Sequence, residues 1–147
     1  MKKLFIYYSN TGSGDFVADY LAENGYEIRK AIPKKDLPKS FFFKVLTGGF
    51  IAGLNKKSKL KDYDGNVGDY DEIIIGSPVW NGRLSCPVNT VLAKTDLTDK
   101  EVSFILYAGG GTAPKAEKRL KKEFPFARIT VLKEPKKYPE ELKKIKI

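Results

Sequence analysis

Residues 4–16 read Leu-Phe-Ile-Tyr-Tyr-Ser-Asn-Thr-Gly-Ser-Gly-Asp-Phe, and this stretch decides the fold. Leu4 to Tyr8 is continuously apolar and short, as a strand buried on both faces is. Beyond it, Phe16, Val17, Tyr20 and Leu21 have the i, i+1, i+4, i+5 spacing of one helical face. Strand, small polar turn and helix together open an alternating α/β chain. The turn, Ser9-Asn10-Thr11-Gly12-Ser13-Gly14, combines side-chain donors with two glycines that let the backbone approach an anion. The helix that follows adds unpaired N–H groups and the positive end of its dipole, so a phosphate could be held without lysine or arginine. An ordinary turn with Ser13 as helix cap would use the same residues. No Gly-Lys-Ser/Thr follows the turn, and Val17 stands where a dinucleotide fingerprint needs its third glycine, which argues against a nucleoside triphosphate.

Outward from this unit the pattern repeats. Tyr26 to Ile28, Glu72 to Ile75, Ser103 to Tyr107 and Arg128 to Leu132 read as further strands, the first of them weak and nearer an edge. Pro87 before Val88, Val91 and Leu92 predicts a helix with proline in its first turn, and Thr112 with Pro114 does the same before Ala116, Leu120 and Phe124. Tyr138 to Ile147 suits a short closing helix. Lys39 to Leu60, with Phe41-Phe42-Phe43 and Gly48-Gly49, reads as a helix with a break. The result is β-α-β-α-β-α-β-α-β-α in a single domain over residues 1–147, whose ligand crevice lies at the carboxyl ends of the strands.

Two more loops reach that crevice. Gly76-Ser77-Pro78-Val79-Trp80-Asn81-Gly82 follows the third strand and holds the only tryptophan, whose flat face suits an aromatic ring while turn amides suit ring heteroatoms. A tryptophan packed beneath its own loop is the plain alternative. Ala108-Gly109-Gly110-Gly111-Thr112 follows the fourth strand and removes side chains from the crevice wall, either for close ligand approach or as a flexible turn.

The Ser-Asn-Thr-Gly-Ser loop, the Gly-Ser-Pro-Val-Trp-Asn-Gly loop and the glycine loop together resemble the flavodoxins in order and approximate spacing over nearly the whole chain. The resemblance implies a flavodoxin-like doubly wound five-stranded parallel sheet, strand order 2-1-3-4-5, with helices on both faces. It also implies FMN as cofactor. Phosphate would then be held by Ser9, Asn10, Thr11, Gly12, Ser13 and Gly14, and the ring would lie against Ser77, Pro78, Val79, Trp80, Asn81 and Gly82, with Trp80 stacking. Ala108, Gly109, Gly110, Gly111 and Thr112 would run along its pyrimidine side. Two departures stand out: Gly14 replaces the threonine that often ends the family's phosphate loop, and the third loop lacks the aromatic that commonly covers the flavin's outer face. The implied role is electron transfer. An open outer face also suits a small reductase of quinones or similar acceptors, and a cofactor-free interaction module on the same fold would need a buried Trp80.

Composition limits the chemistry. The chain has 147 residues and no histidine, which removes histidine-based triads and a histidine general base. A lone cysteine, Cys86, allows neither an intrachain disulfide nor a thiolate zinc site and is expected to be structural in a reducing, cytoplasmic setting. No apolar run approaches the ~20 residues of a membrane-spanning helix. Net charge is +9, from 27 basic and 18 acidic residues, without a nucleic-acid reader motif. Apart from a solvated face, that charge suits an acidic redox protein partner. It is also opposite in sign to the familiar acidic flavodoxins, which implies a higher reduction potential than theirs.

Overall fold

The computed structural model describes residues 1–34 and 59–147. The elements in chain order are β1 (Lys3–Tyr7), α1 (Ser13–Glu23), β2 (Glu27–Lys30), β3 (Glu72–Trp80), β4 (Arg83–Leu84), α2 (Cys86–Lys94), β5 (Glu101–Ala108), α3 (Pro114–Glu123) and β6 (Arg128–Lys133). A 3-10 helix, Pro139–Lys144, takes the place of the expected closing α-helix. The reading of Lys39 to Leu60, including any covering role for Phe41, Phe42 or Phe43, lies outside the described residues except at its last two positions.

Five strands pair in parallel in the order β2-β1-β3-β5-β6, which is the expected 2-1-3-4-5 once the short strand β4 is set aside. β4 is the sixth strand and pairs antiparallel with the end of β3. The weak strand β2 lies at an edge, as its mixed composition suggests.

Alternation along the central strands makes two cores. Leu4, Ile6, Ile73, Ile75, Phe104 and Leu106 face the side covered by α2 and α3, through Val88, Val91, Ala116 and Leu120. Phe5, Tyr7, Ile74, Ile105 and Tyr107 face the other side, where α1 contributes Val17, Ala18 and Leu21 and the 3-10 end contributes Ile145. Each fully buried large aliphatic or aromatic side chain contributes roughly 1.5–3 kcal/mol. Burial on both faces explains why these strands read as continuous apolar runs. It also aligns the carboxyl ends of β1, β3 and β5 in register, with Tyr7 opposite Gly76 and Pro78 opposite Tyr107.

The third strand departs from the sequence reading. It does not stop near Ile75 but continues through Trp80, and the supposed loop is a β-hairpin. Trp80 pairs with Arg83 across a two-residue turn in which Asn81 has φ 50° and Gly82 φ 79°. Asn-Gly is the residue pair that such a turn favours, because both central positions take positive φ.

Candidate site at the carboxyl ends of the strands

A cavity of about 400 Å³ opens where the three loops meet. That is within the ordinary range for a small-molecule site. Of the residues singled out in the sequence, Asn10, Thr11, Ser13, Pro78, Val79, Trp80, Ala108 and Gly109 line it. Tyr107, Glu134, Lys136 and Lys137 line it as well and were not anticipated.

The first loop sets the N-terminus of α1 beside the cavity. Gly12, at φ 94°, is the cap residue of α1, and Ser13 is already the first helical residue. Ser13 is therefore not the cap. The Ser9 hydroxyl takes that part instead, accepting hydrogen bonds from the N–H groups of Gly12 at 3.2 Å and Gly14 at 3.1 Å. Above the loop, Lys136 Nζ is 3.1 Å from where a Cβ on Gly12 would stand. The positive end of the α1 dipole and one ammonium group thus converge at one end of the cavity.

Gly14 is closely packed and has no room for a side chain. A Cβ there would meet Tyr107 Oη at 2.6 Å, Ser9 Cβ at 2.8 Å and Tyr7 Cδ2 at 2.8 Å. The buried Tyr107 hydroxyl donates to the carbonyl of Tyr8, and burial holds its pKa far above the ordinary value, so it remains a neutral donor. The threonine of the family pattern has no room here because Tyr107 occupies the space.

Asp15 completes the first turn of α1, accepting from the Tyr7 hydroxyl at 2.6 Å and from Lys30 Nζ at 2.8 Å. Partial burial acts to raise its carboxyl pKa, but the bonds from Lys30 and Tyr7 outweigh it and hold the pKa below the ordinary 3.8. A depressed pKa stabilises the fold above the unfolded-state value and loses that contribution as pH falls through the folded one. Asp15→Asn should therefore flatten the acid limb of stability below about pH 4, measured by urea unfolding at stepped pH.

The second loop corrects two expectations. Trp80 is 2% exposed and sits edge-on to Tyr8, with ring centroids 5.7 Å apart at 90°. It belongs to the core under α2 and α3, since the strand and hairpin carry it inward where a free loop would have left it out. It lines the cavity from this buried position, so an exposed stacking plate is not what the chain presents. Trp80→Ala should cost about 3–5 kcal/mol of stability, read from denaturant midpoints. Ser77 is 1% exposed, and its hydroxyl donates to the Pro78 carbonyl, accepts from the Ser85 N–H and meets the Ser85 hydroxyl at 3.0 Å. It ties the base of the hairpin. Asn81 and Gly82 form the turn and do not line the cavity.

The third loop divides. Gly111, at φ 76°, needs glycine for its backbone, and its N–H donates to Ala108 O at 3.2 Å. Gly109 and Gly110 have no positive φ, and a Cβ on either would meet nothing within 4 Å. Neither packing nor backbone geometry requires glycine there, which leaves room for a bound molecule. Gly110, Gly111 and Thr112 lie outside the cavity lining.

A profile of the flavodoxin family matches residues 2–144. The chain belongs to the flavodoxin family. No curated protein matches the sequence. Among solved structures, this flavodoxin-family chain is similar to a candidate flavoprotein from Bacteroides eggerthii, with 22% identity, 99% of each chain covered and a TM-score of 0.77. It is also similar to a flavoprotein in complex with FMN from Lactobacillus acidophilus, at 20% identity over 95% of this chain and 97% of that one, with a TM-score of 0.62. An NADPH-quinone reductase from P. pentosaceus shares the fold at 11% identity, covering 97% of this chain and 94% of the other, with a TM-score of 0.54.

Cys86 is buried, and burial raises its thiol pKa, in keeping with a structural role. Among the described residues, no group of three or more His, Cys, Asp or Glu side chains is placed to hold a metal, and no helix is long and apolar enough to cross a membrane.

Proposed function

We propose that the chain binds FMN in this cavity and serves as an electron-transfer flavoprotein. One observation carries the reading: the N-terminus of α1 with Lys136, and the side-chain-free corner at Gly109, bound a single cavity. The family match and the FMN complex of the Lactobacillus acidophilus protein support the choice of cofactor.

Bound FMN supplies the redox chemistry, which the protein has no side chains to perform. The chain's own residues bind and orient it. The N-terminus of α1 and the Lys136 ammonium would hold the phosphate, while Pro78, Val79 and Trp80 would provide an apolar wall that excludes water on one side. Gly109 contributes a backbone N–H and an unobstructed approach. Gly109→Val should leave stability within about 0.5 kcal/mol, since the new side chain enters open space. FMN affinity should nevertheless fall about tenfold, read as a loss of the shifted visible flavin band on titration.

A second reading is favoured by the openness at Gly109 and Gly110: an uncovered ring face would admit an acceptor, making the protein a flavin-dependent reductase of quinones or related compounds. The two separate on one experiment. An FMN-loaded electron carrier, reduced anaerobically, passes its electrons once to a protein acceptor and shows no sustained turnover. A reductase turns over a water-soluble quinone repeatedly with a nicotinamide donor. Failure of FMN to bind at all would remove both.

A further inference from the structure

A second cavity, of about 660 Å³, lies between β4 and α3 and is lined largely by cations. Lys115, Lys118, Arg119 and Lys122 recur at i, i+3, i+4 and i+7, so they share one face of α3, and Arg83 joins them from β4. Glu123 is its one acidic lining residue and is held by Arg119 Nε at 3.1 Å. Arg119 Nη1 also donates to Asn89 Oδ1 at 2.6 Å, which fixes the guanidinium against α2. Among the described residues, Arg83, Lys115, Lys118 and Lys122 form no ion pair.

This arrangement differs from a dispersed solvated surface. Like charges three and four residues apart repel on a helix. Lys115 stands in the first turn, where the helix dipole also disfavours a cation. The charges line a concavity and reach the rim of the first site, since Ala116 N–H donates to Gly82 O at 3.0 Å and Lys115 Cδ lies 3.4 Å from where a Cβ on Gly82 would stand. Gly82 closes the hairpin whose other strand supplies Val79 and Trp80 to the first cavity.

We propose that this groove is the docking surface for the carboxylate-rich face of an electron-transfer protein, which it would seat beside the hairpin. The proposal rests on the flavin reading for the partner's purpose, while the complementarity of charge belongs to the groove itself.

The test uses an acidic [2Fe–2S] ferredoxin as probe, immobilised, with the apo chain and the FMN-loaded chain in solution at low ionic strength. Wild type should bind it, and the double variant Lys118→Glu/Lys122→Glu should bind about tenfold or more weakly. Lys143→Glu/Lys146→Glu makes the same change of net charge within and just after the 3-10 segment, whose Leu142 and Ile145 pack on the opposite core, and should alter binding less than about twofold. Neither pair lines the FMN cavity, so FMN affinity should be unchanged in both. Equal weakening by the two pairs would overturn the proposal, because it would reduce the effect to overall charge. Absence of binding by wild type, or displacement of the ferredoxin by micromolar pyrophosphate, would also overturn it, the latter by assigning the groove to a small phosphorylated ligand. Binding by the apo chain keeps this outcome separate from any failure of the flavin reading.

Discussion

Lys136→Met should weaken FMN binding about thirtyfold, equivalent to about 2 kcal/mol for one charge-assisted phosphate contact, while riboflavin binding changes by less than about twofold. The expectation follows from position. Lys136 belongs to the segment after β6, yet its ammonium group lies over Gly12 at the head of α1, and its charge helps to hold the nearby Asp15 carboxyl in the ionised form. Riboflavin lacks the phosphate and therefore reports on ring binding alone. Since Lys136 is exposed, the loss should shrink as salt rises and the wild-type contact becomes screened. Parallel titrations of wild type and variant with both flavins, at two ionic strengths, check each part. Equal losses for FMN and riboflavin would mean that Lys136 acts on the ring or on the fold and not on the phosphate.

Gly14→Thr, which restores the residue common in the family's phosphate loop, should destabilise this chain by about 3 kcal/mol and lower Tm by roughly 10 °C. A Cβ at position 14 is blocked by Tyr107 Oη, Ser9 Cβ and Tyr7 Cδ2. None of these yields easily. Tyr107 donates to the Tyr8 carbonyl, Ser9 holds two loop amides and Tyr7 donates to Asp15. Displacing any of them adds a broken hydrogen bond to the cost of overpacking, a buried one in the case of Tyr107. Adding Tyr107→Phe removes the closest obstructing atom, so the double variant should be less destabilised than the sum of the two single changes. Thermal unfolding of the four proteins of this cycle measures the coupling. A Gly14→Thr chain as stable as wild type would show that the loop and Tyr107 do not exclude each other.

Much of this arrangement was legible in the sequence because its cause is local. The strand from Leu4, the small-residue turn and the face of Val17 and Leu21 on α1 follow from burial, turn chemistry and helical spacing within a few residues of one another. The repeated apolar runs then gave the parallel sheet and its crevice.

The misreadings have equally physical origins. Asn81-Gly82 carries a hairpin signal, but with only Arg83 and Leu84 as the second strand there is too little alternation to show it, so Trp80 reads as a loop residue. Once the strand extends to Trp80, burial of the indole and of Ser77 follows from the hairpin. The closing helix carried the right apolar spacing, yet it forms as a 3-10 segment. Lys136 was not legible as a site residue because nothing in its neighbourhood of lysines distinguishes it. Only the return of the chain after β6 brings it over Gly12. The Gly14–Tyr107 contact is likewise a product of tertiary packing, and each residue alone is unremarkable in the sequence.

The most direct test of the central claim is a titration of the apo chain with FMN and with riboflavin, followed by flavin fluorescence and the visible band, with inorganic phosphate as competitor. FMN should bind at one per chain, about tenfold or more tightly than riboflavin, and phosphate should weaken FMN selectively. Equal binding of the two flavins, or binding of neither, would contradict an FMN site at the head of α1.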